Sequence, residues 1–332
     1  MASIMKALEF KYHKDVVKVV QVDTPVPLKN EVQVKVEYSA LDTTLDEVIQ
    51  RTWTGMFVHK LKTPLYLGWH YSGIITAVGE EAKASFQIGD AVFGHLVYAP
   101  STTAGAFAEY ITVAADQLAR RPKKVDAKTA AASTTEALTA LQALRDYGRL
   151  RDDTKAEQTV LIVGAGGGVG SAAVQIAHIM GAHVTAVCSA RDVKRVKSYG
   201  ADLVIPREDY PDPLHVLVTR KFDVIFDTPV VLSPTRALSY LKKGGHYVCT
   251  LPTWGLLWGL VASIFRPKGV HMVEVQPKQE DFAQVATWMA DEKLLIPIDS
   301  TFKVKDMLQA MQRQRERKIG RVSIQVENGW ND

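Results

Sequence analysis

The sequence is poor in cysteine, in long apolar runs and in segregated charge. Only Cys188 and Cys249 occur in 332 residues. That count excludes a disulfide framework and any four-cysteine structural zinc site. The longest apolar run, Trp254 to Phe265, is too short to cross a bilayer, which takes about 20 residues. It reads as a buried or lid helix, with an interfacial membrane contact as the alternative. Lysine and arginine total 40 against 36 aspartate and glutamate, a formal net charge of +4. The two signs are mixed along the chain, so no basic stripe is left for nucleic acid. The N-terminal segment MASIMKALEFKYHKD has no apolar signal core. With the scarce cysteine, this points to a reducing, cytoplasmic setting.

What is present falls into two styles. From residue 5 to about 120 the chain reads as β: EVQVKVEY alternates Val32, Val34, Val36 and Tyr38 with polar residues, as a half-buried strand does. SGIITAVG, DAVFG and AFAEYITV are further short strands punctuated by glycine, and IGD (Ile88 to Asp90) is a tight corner. From residue 127 strands alternate with helices. The Ala-rich TAAASTTEALTALQAL is helical, TVLIV is a continuous apolar strand, and DLVI, FDVIFDT and HYVCTL recur with helices between them. Such runs indicate an α/β unit with a parallel sheet covered on both faces. The segment after residue 270 holds two helices, near Lys278 to Glu292 and Val304 to Arg315, and a last strand RVSIQV.

The most informative stretch is TVLIVGAGGGVGSAAVQIAHIMGAHVTAVCSARD. A strand enters a glycine-rich turn that opens an apolar helix. Backbone N–H groups in such a turn approach a pyrophosphate, and the helix start adds partial positive charge. In the G-x-G-x-x-G register the positions are Ala165, Gly167 and Gly170, and the strand–turn–helix–strand context supports a dinucleotide site. An acid ending the second strand would favour NAD by holding the ribose 2′-hydroxyl. Here that strand ends in Ser189-Ala190-Arg191, with Lys194 one turn on. A hydroxyl, a guanidinium and an ammonium suit the 2′-phosphate of NADP(H), each charge-assisted contact being worth roughly 1.5–3 kcal/mol. Asp192 is the competing candidate, for a ribose contact.

These motifs, in this order, resemble the medium-chain dehydrogenase/reductase superfamily, and within it the zinc-less quinone oxidoreductase (zeta-crystallin-like) branch. The similarity runs from MKALEF through GDAVFG, GAFAEYITV, EALTALQAL, GAGGGVGSAAVQIA and FDVIFDT to GRVSIQV. It implies a GroES-like β-barrel domain over residues 1–126 and a Rossmann doubly wound domain over 127–270. A tail over 271–332 would return to the first domain. It also implies a homodimer, with nicotinamide and substrate in the cleft between the domains. Carried over by motif, Gly166, Gly167, Gly168 and Val169 contact the pyrophosphate, Ser189 the 2′-phosphate, and Thr139 lies near the nicotinamide. Arg207 stands where many relatives carry a tyrosine on the adenosine phosphate. Asp42 stands where they carry an asparagine near the nicotinamide, and is either a site residue or a helix N-cap.

The zinc enzymes of the superfamily bind their metal through a cysteine after the third strand, a Gly-His-Glu motif and a third ligand further on. In LGWHYSG the ligand position holds Trp69, and His70 takes the place of the glutamate. A lone imidazole does not make a catalytic zinc site, so no metal is expected. His70 is expected in a loop on the cleft side, with Tyr71 nearer the substrate and Thr44 a further polar candidate. Without a Lewis acid the substrate must already be polarised, as quinones and α,β-unsaturated carbonyls are. The expected activity is NADPH-dependent reduction of such small molecules. The alternatives are an enoyl or alkenal reductase with a different proton donor, and a weakly catalytic nucleotide-binding scaffold.

Overall fold

Strand-forming runs punctuated by glycine give the first part of the chain a β architecture. In order come β1 (Ile4–Lys11), β2 (Lys14–Asp23), β3 (Glu31–Ala40), the short helix α1 (Leu45–Arg51), β4 (Leu65–Tyr66), β5 (His70–Val78), β6 (Ala91–His95), β7 (Tyr110–Ala114) and β8 (Leu118–Arg120). The alternating part follows with α2 (Ala127–Gln142), β9 (Thr159–Val163), α3 (Gly168–Ile179), β10 (His183–Cys188), α4 (Val193–Ser198), β11 (Leu203–Pro206), β12 (Phe222–Asp227), α5 (Pro234–Ser239), β13 (Leu241–Cys249) and β14 (Gly269–Met272). The last segment holds α6 (Gln279–Ala290), β15 (Ile298–Lys303), α7 (Met307–Arg315) and β16 (Arg321–Gln325). The computed structural model describes residues 3–42, 45–52, 64–97, 105–151, 157–209, 220–251 and 269–331. The apolar run Trp254 to Phe265 and Thr44 lie outside the described residues. Among those residues no helix is long and apolar enough to cross a membrane.

The chain forms two units. One comprises Met1–Thr135, Gln276–Asp291 and Ile296–Asp332; the other comprises Glu136–Val275 and Glu292–Leu295. In the β unit the strands run in the order β15-β16-β3-β5-β6-β8, β7 also pairs with β3, and β2-β1-β4 form a second sheet. Val32, Val34 and Val36 are buried in its core, as their alternation requires. Tyr38 departs from that pattern and is only half-buried. A register shift between Val36 and Tyr38 against β5 moves the inward positions to Ser39 and Ala40. The stretch LGWHYSG is likewise not a loop throughout. Gly68, at φ 97°, makes the turn, and His70 then opens β5, paired with Ala40 on one side and His95 on the other.

The C-terminal strand completes this sheet. β16 pairs antiparallel with β3, Ser323 opposite Ala40, and the Leu41 N–H donates to the Val322 carbonyl at 3.0 Å. Arg321 is thereby brought beside the residue that follows Leu41.

The second unit is built on a six-stranded parallel sheet in the order β11-β10-β9-β12-β13-β14. Counting its own strands, this is 3-2-1-4-5-6, the doubly wound Rossmann order. TVLIV became a continuous strand because it is central: Val160, Leu161 and Ile162 are fully buried. The helix after it begins against the turn. A Cβ on Gly170 would come within 2.2 Å of the Gly164 carbonyl oxygen, a backbone contact that no rotamer relieves. Gly170→Ala is expected to cost about 1–3 kcal/mol, read as a lower midpoint in urea unfolding; an unchanged midpoint would contradict this close approach.

Candidate functional site

The glycine turn of the Rossmann unit is set by its sheet. Val187 pairs with Val163, and the Val187 carbonyl accepts from both Gly164 and Ala165 N–H at 3.0 Å. Gly166 and Gly167 follow in the turn, Gly167 caps α3 in an extended conformation, and Gly168 and Val169 open the helix. A Cβ on Gly167 would meet nothing nearer than 3.4 Å, so this face is open to a ligand. Gly166 and Gly168 lack side chains for another reason. A Cβ at Gly166 would collide with the Asp192 carboxylate, and one at Gly168 with the Glu136 carboxylate. Thr139 is buried further along α2, in the same unit.

Asp192 does not face outward to a ribose. It is 4% exposed and accepts from Arg195 Nη2 at 2.7 Å, while the same nitrogen donates to the Gly166 carbonyl at 2.8 Å. The acid and Arg195 therefore brace the turn from beneath. Ser189 follows the end of β10, and Arg191 and Lys194 are exposed. Cys188 pairs with Pro206 in parallel register, which brings Arg207, also exposed, to the same end of the sheet. The structure thus gathers Ser189, Arg191 and Arg207 at the carboxyl ends of two neighbouring strands. It adds Glu208, whose Oε2 accepts from the Ala190 N–H at 2.8 Å.

The β unit contains a second constellation, a buried polar cluster. Asp42 follows β3, His70 opens β5, His95 ends β6, Arg321 opens β16, and Thr134 and Thr135 come from α2; all but Thr135 are fully or nearly buried. Arg321 Nη2 lies 3.3 Å from Asp42 Oδ2 and 3.1 Å from His70 Nε2. His70 Nδ1 lies 2.7 Å from Thr134 Oγ1, whose own hydroxyl donates to the Ala131 carbonyl. His70 Nε2 also lies 3.2 Å from Asp42 Oδ2, so imidazole, carboxylate and guanidinium are in mutual contact. Burial holds the His70 pKa below the ordinary imidazole value, against the pull of Asp42 and with that of Arg321. Thr135 Oγ1 bridges to His95 Nδ1 at 3.2 Å; burial, then the neighbouring His70, press the His95 pKa down to about 3. Asp46 completes the cluster, accepting from Asp42 N–H at 2.9 Å and Gly68 N–H at 3.0 Å. Burial and the Asp42 charge push Asp46 up to about 7.

Tyr71 lies elsewhere. It is fully buried in the apolar core of the β unit, its hydroxyl over Gly94 and without a hydrogen-bond partner among the described residues. The structure gives it packing rather than proximity to the Asp42–His70 pair. Cys188 and Cys249 are free and buried, and burial raises both thiols to about 11.

Comparison with known proteins gives this geometry a family. A family model described as "Alcohol dehydrogenase GroES-like domain" matches residues 28–123, and one described as "Zinc-binding dehydrogenase" matches residues 168–256. The chain is 38% identical over 291 residues to a chloroplast envelope quinone oxidoreductase homolog of Arabidopsis thaliana, covering 85% of each. The chain belongs to the medium-chain dehydrogenase/reductase family and is quinone oxidoreductase-like. A chloroplastic quinone-oxidoreductase homolog of Spinacia oleracea is 30% identical over 309 residues, 90% of this chain and 91% of that one. The quinone oxidoreductase structure from Coxiella burnetii shares the fold with a TM-score of 0.83, at 24% identity, over 98% of this chain and all of that one. Membership in the medium-chain dehydrogenase/reductase family makes the protein an oxidoreductase with a nicotinamide cofactor. The open glycine turn of the Rossmann unit fits such a group.

The zinc in the second description does not fit the donors present. Both His70 nitrogens are engaged, Nε2 lying 3.2 Å from Asp42 Oδ2 and 3.1 Å from Arg321 Nη2, and a guanidinium touching both groups repels a cation there. Among the described residues no three His, Cys, Asp or Glu are arranged to hold a metal.

Arg321, His95, Asp46, Arg195 and Glu208 are not marked by any local motif; sheet pairings reveal Arg321, His95 and Glu208, and side-chain contacts to the neighbouring turns reveal Asp46 and Arg195. The buried imidazoles have a measurable consequence. Folded His95 stays neutral down to about 3, and burial shifts His70 in the same direction, so at pH values where the unfolded chain already binds these protons their stabilisation is progressively lost as pH falls below 6.5. Asp46 has the opposite sign, its contribution being lost as pH rises through about 7. His95→Gln is therefore expected to flatten the fall of Tm between pH 6.5 and about 4. Parallel wild-type and variant curves would contradict the neutral assignment.

Proposed function

We propose that this medium-chain dehydrogenase/reductase is an NADPH-dependent, zinc-independent reductase of quinones or α,β-unsaturated carbonyls. The observation that carries the cofactor choice is that Asp192 is buried against Arg195 and the glycine turn, while Arg191, 3.6 Å from Asp192, Lys194 and Arg207 are exposed cations suited to a phosphate dianion. In this reading Gly166, Gly167, Gly168 and Val169 hold the pyrophosphate, Ser189, Arg191, Lys194 and Arg207 the 2′-phosphate, and Thr139 borders the nicotinamide. Bound NADPH supplies hydride. Asp42 is the acidic group of the β unit offered to the substrate, with Arg321 balancing its charge and His70 in contact with both. A donor set unsuited to zinc supports acceptors that are already polarised, since no Lewis acid is then required to create the electrophile. Free, buried cysteines support a cytoplasmic location, and a homodimer belongs to the proposal by resemblance to the family.

Two measurements test it. NADPH oxidation is followed with a quinone, an enal and an enoyl thioester as acceptors. Turnover with the quinone or the enal is expected, and binding of NADPH without reduction of any acceptor would favour a nucleotide-binding scaffold instead. Arg191→Ala is expected to raise KM for NADPH by about tenfold to a hundredfold while leaving that for NADH nearly unchanged. Equal effects on the two cofactors would remove the 2′-phosphate assignment.

A further inference from the structure

The adenosine end of the cofactor site is spanned by an acid that the sequence motifs do not include. Because Cys188 pairs with Pro206, the segments Ser189-Ala190-Arg191 and Arg207-Glu208 leave the sheet side by side. Glu208 Oε2 accepts from the Ala190 N–H at 2.8 Å, and its Oε1 lies 3.2 Å from Arg207 Nε. An oxyanion held by one backbone amide and one guanidinium, with Arg191 and Lys194 close in sequence, has the surroundings a phosphate oxygen takes. The bond to Ala190 is also the main cause of a Glu208 pKa below the ordinary carboxylate range, so the group is an anion at neutral pH.

We propose that Glu208 sets the cofactor preference of this enzyme: its carboxylate occupies the Ala190 amide that a 2′-phosphate requires, so NADPH binds by displacing it, while the ribose 2′-hydroxyl of NADH donates to it in place. This rests on the nicotinamide reading of the Rossmann unit. Two anions cannot share one amide donor, and the repulsion between them opposes part of the attraction that Arg191, Lys194 and Arg207 offer. The Glu208 side chain is 46% exposed, so it has solvent to swing into. The cationic cluster and Glu208 therefore act in opposite directions on one choice. The cations favour the phosphorylated cofactor, and the acid keeps the unphosphorylated one competitive.

The test measures Kd for NADPH and for NADH, by quenching of tryptophan fluorescence at fixed ionic strength, on the full chain and on Glu208→Gln and Glu208→Ala. The second variant removes the charge without adding an amide donor able to bind phosphate itself. Both variants are expected to bind NADPH roughly tenfold more tightly and NADH no more tightly than the wild type. The ligands 2′,5′-ADP and 5′-AMP, as competitors, are expected to show the same split. A factor equal for both cofactors, or weaker NADPH binding in both variants, would overturn the role of Glu208 and leave the NADPH reading standing. Failure of the wild type to bind either dinucleotide would overturn both.

Discussion

A guanidinium buried in the β unit must be met by a carboxylate, and Asp42 meets Arg321 there. Removing one partner of such a pair strands a charge away from water, at a cost of about 3–5 kcal/mol. The two residues lie 279 positions apart, so the pairing of β16 with β3 and the charge balance of the cluster depend on each other. His70 touches both, its Nε2 lying 3.2 Å from Asp42 Oδ2 and 3.1 Å from Arg321 Nη2. Burial of this cluster holds the His70 pKa below the ordinary imidazole value and, with His70 beside it, presses that of His95 down as well.

The nicotinamide side obeys a different constraint, the register of a parallel sheet. Val163 aligns with Val187 and Cys188 with Pro206, so everything that follows β9, β10 and β11 emerges at one end. The glycine turn, the Ser189–Arg191 segment and the Arg207–Glu208 pair are neighbours for that reason. Ligands of open α/β sheets bind at the carboxyl ends of the strands, and here those ends carry the exposed cations. Asp192 and Arg195, though in the same segment, are turned beneath the turn and serve to hold it.

Local chemistry was legible in the sequence where it repeats with the period of an element. The glycine turn, the buried strand TVLIV and the alternation of β3 up to Val36 all follow from residue type and spacing, and so does the α/β class. The pattern stopped being readable where the chain departs from its period. Tyr38 moved off the inward face because of one register shift, and His70 entered a strand because Gly68 turns the chain before it. Tyr71, read as a polar candidate, is fully buried in the apolar core of the β unit. Arg321, His95 and Glu208 were hidden for a plainer reason: their partners are distant in sequence, and nothing in a motif says which strands lie side by side. Asp42 was marked as a departure from the family pattern, yet its counter-charge is visible only once β16 is placed.

The account turns on hydride transfer from NADPH to an already polarised acceptor with no metal at the Asp42–His70–Arg321 cluster. The most direct measurement is the steady-state rate with NADPH deuterated at the transferred position and a 1,4-quinone, before and after exhaustive chelation. The account predicts a primary isotope effect that is the same in both samples, with no loss of rate on chelation. A rate abolished by the chelator and restored by zinc would contradict it.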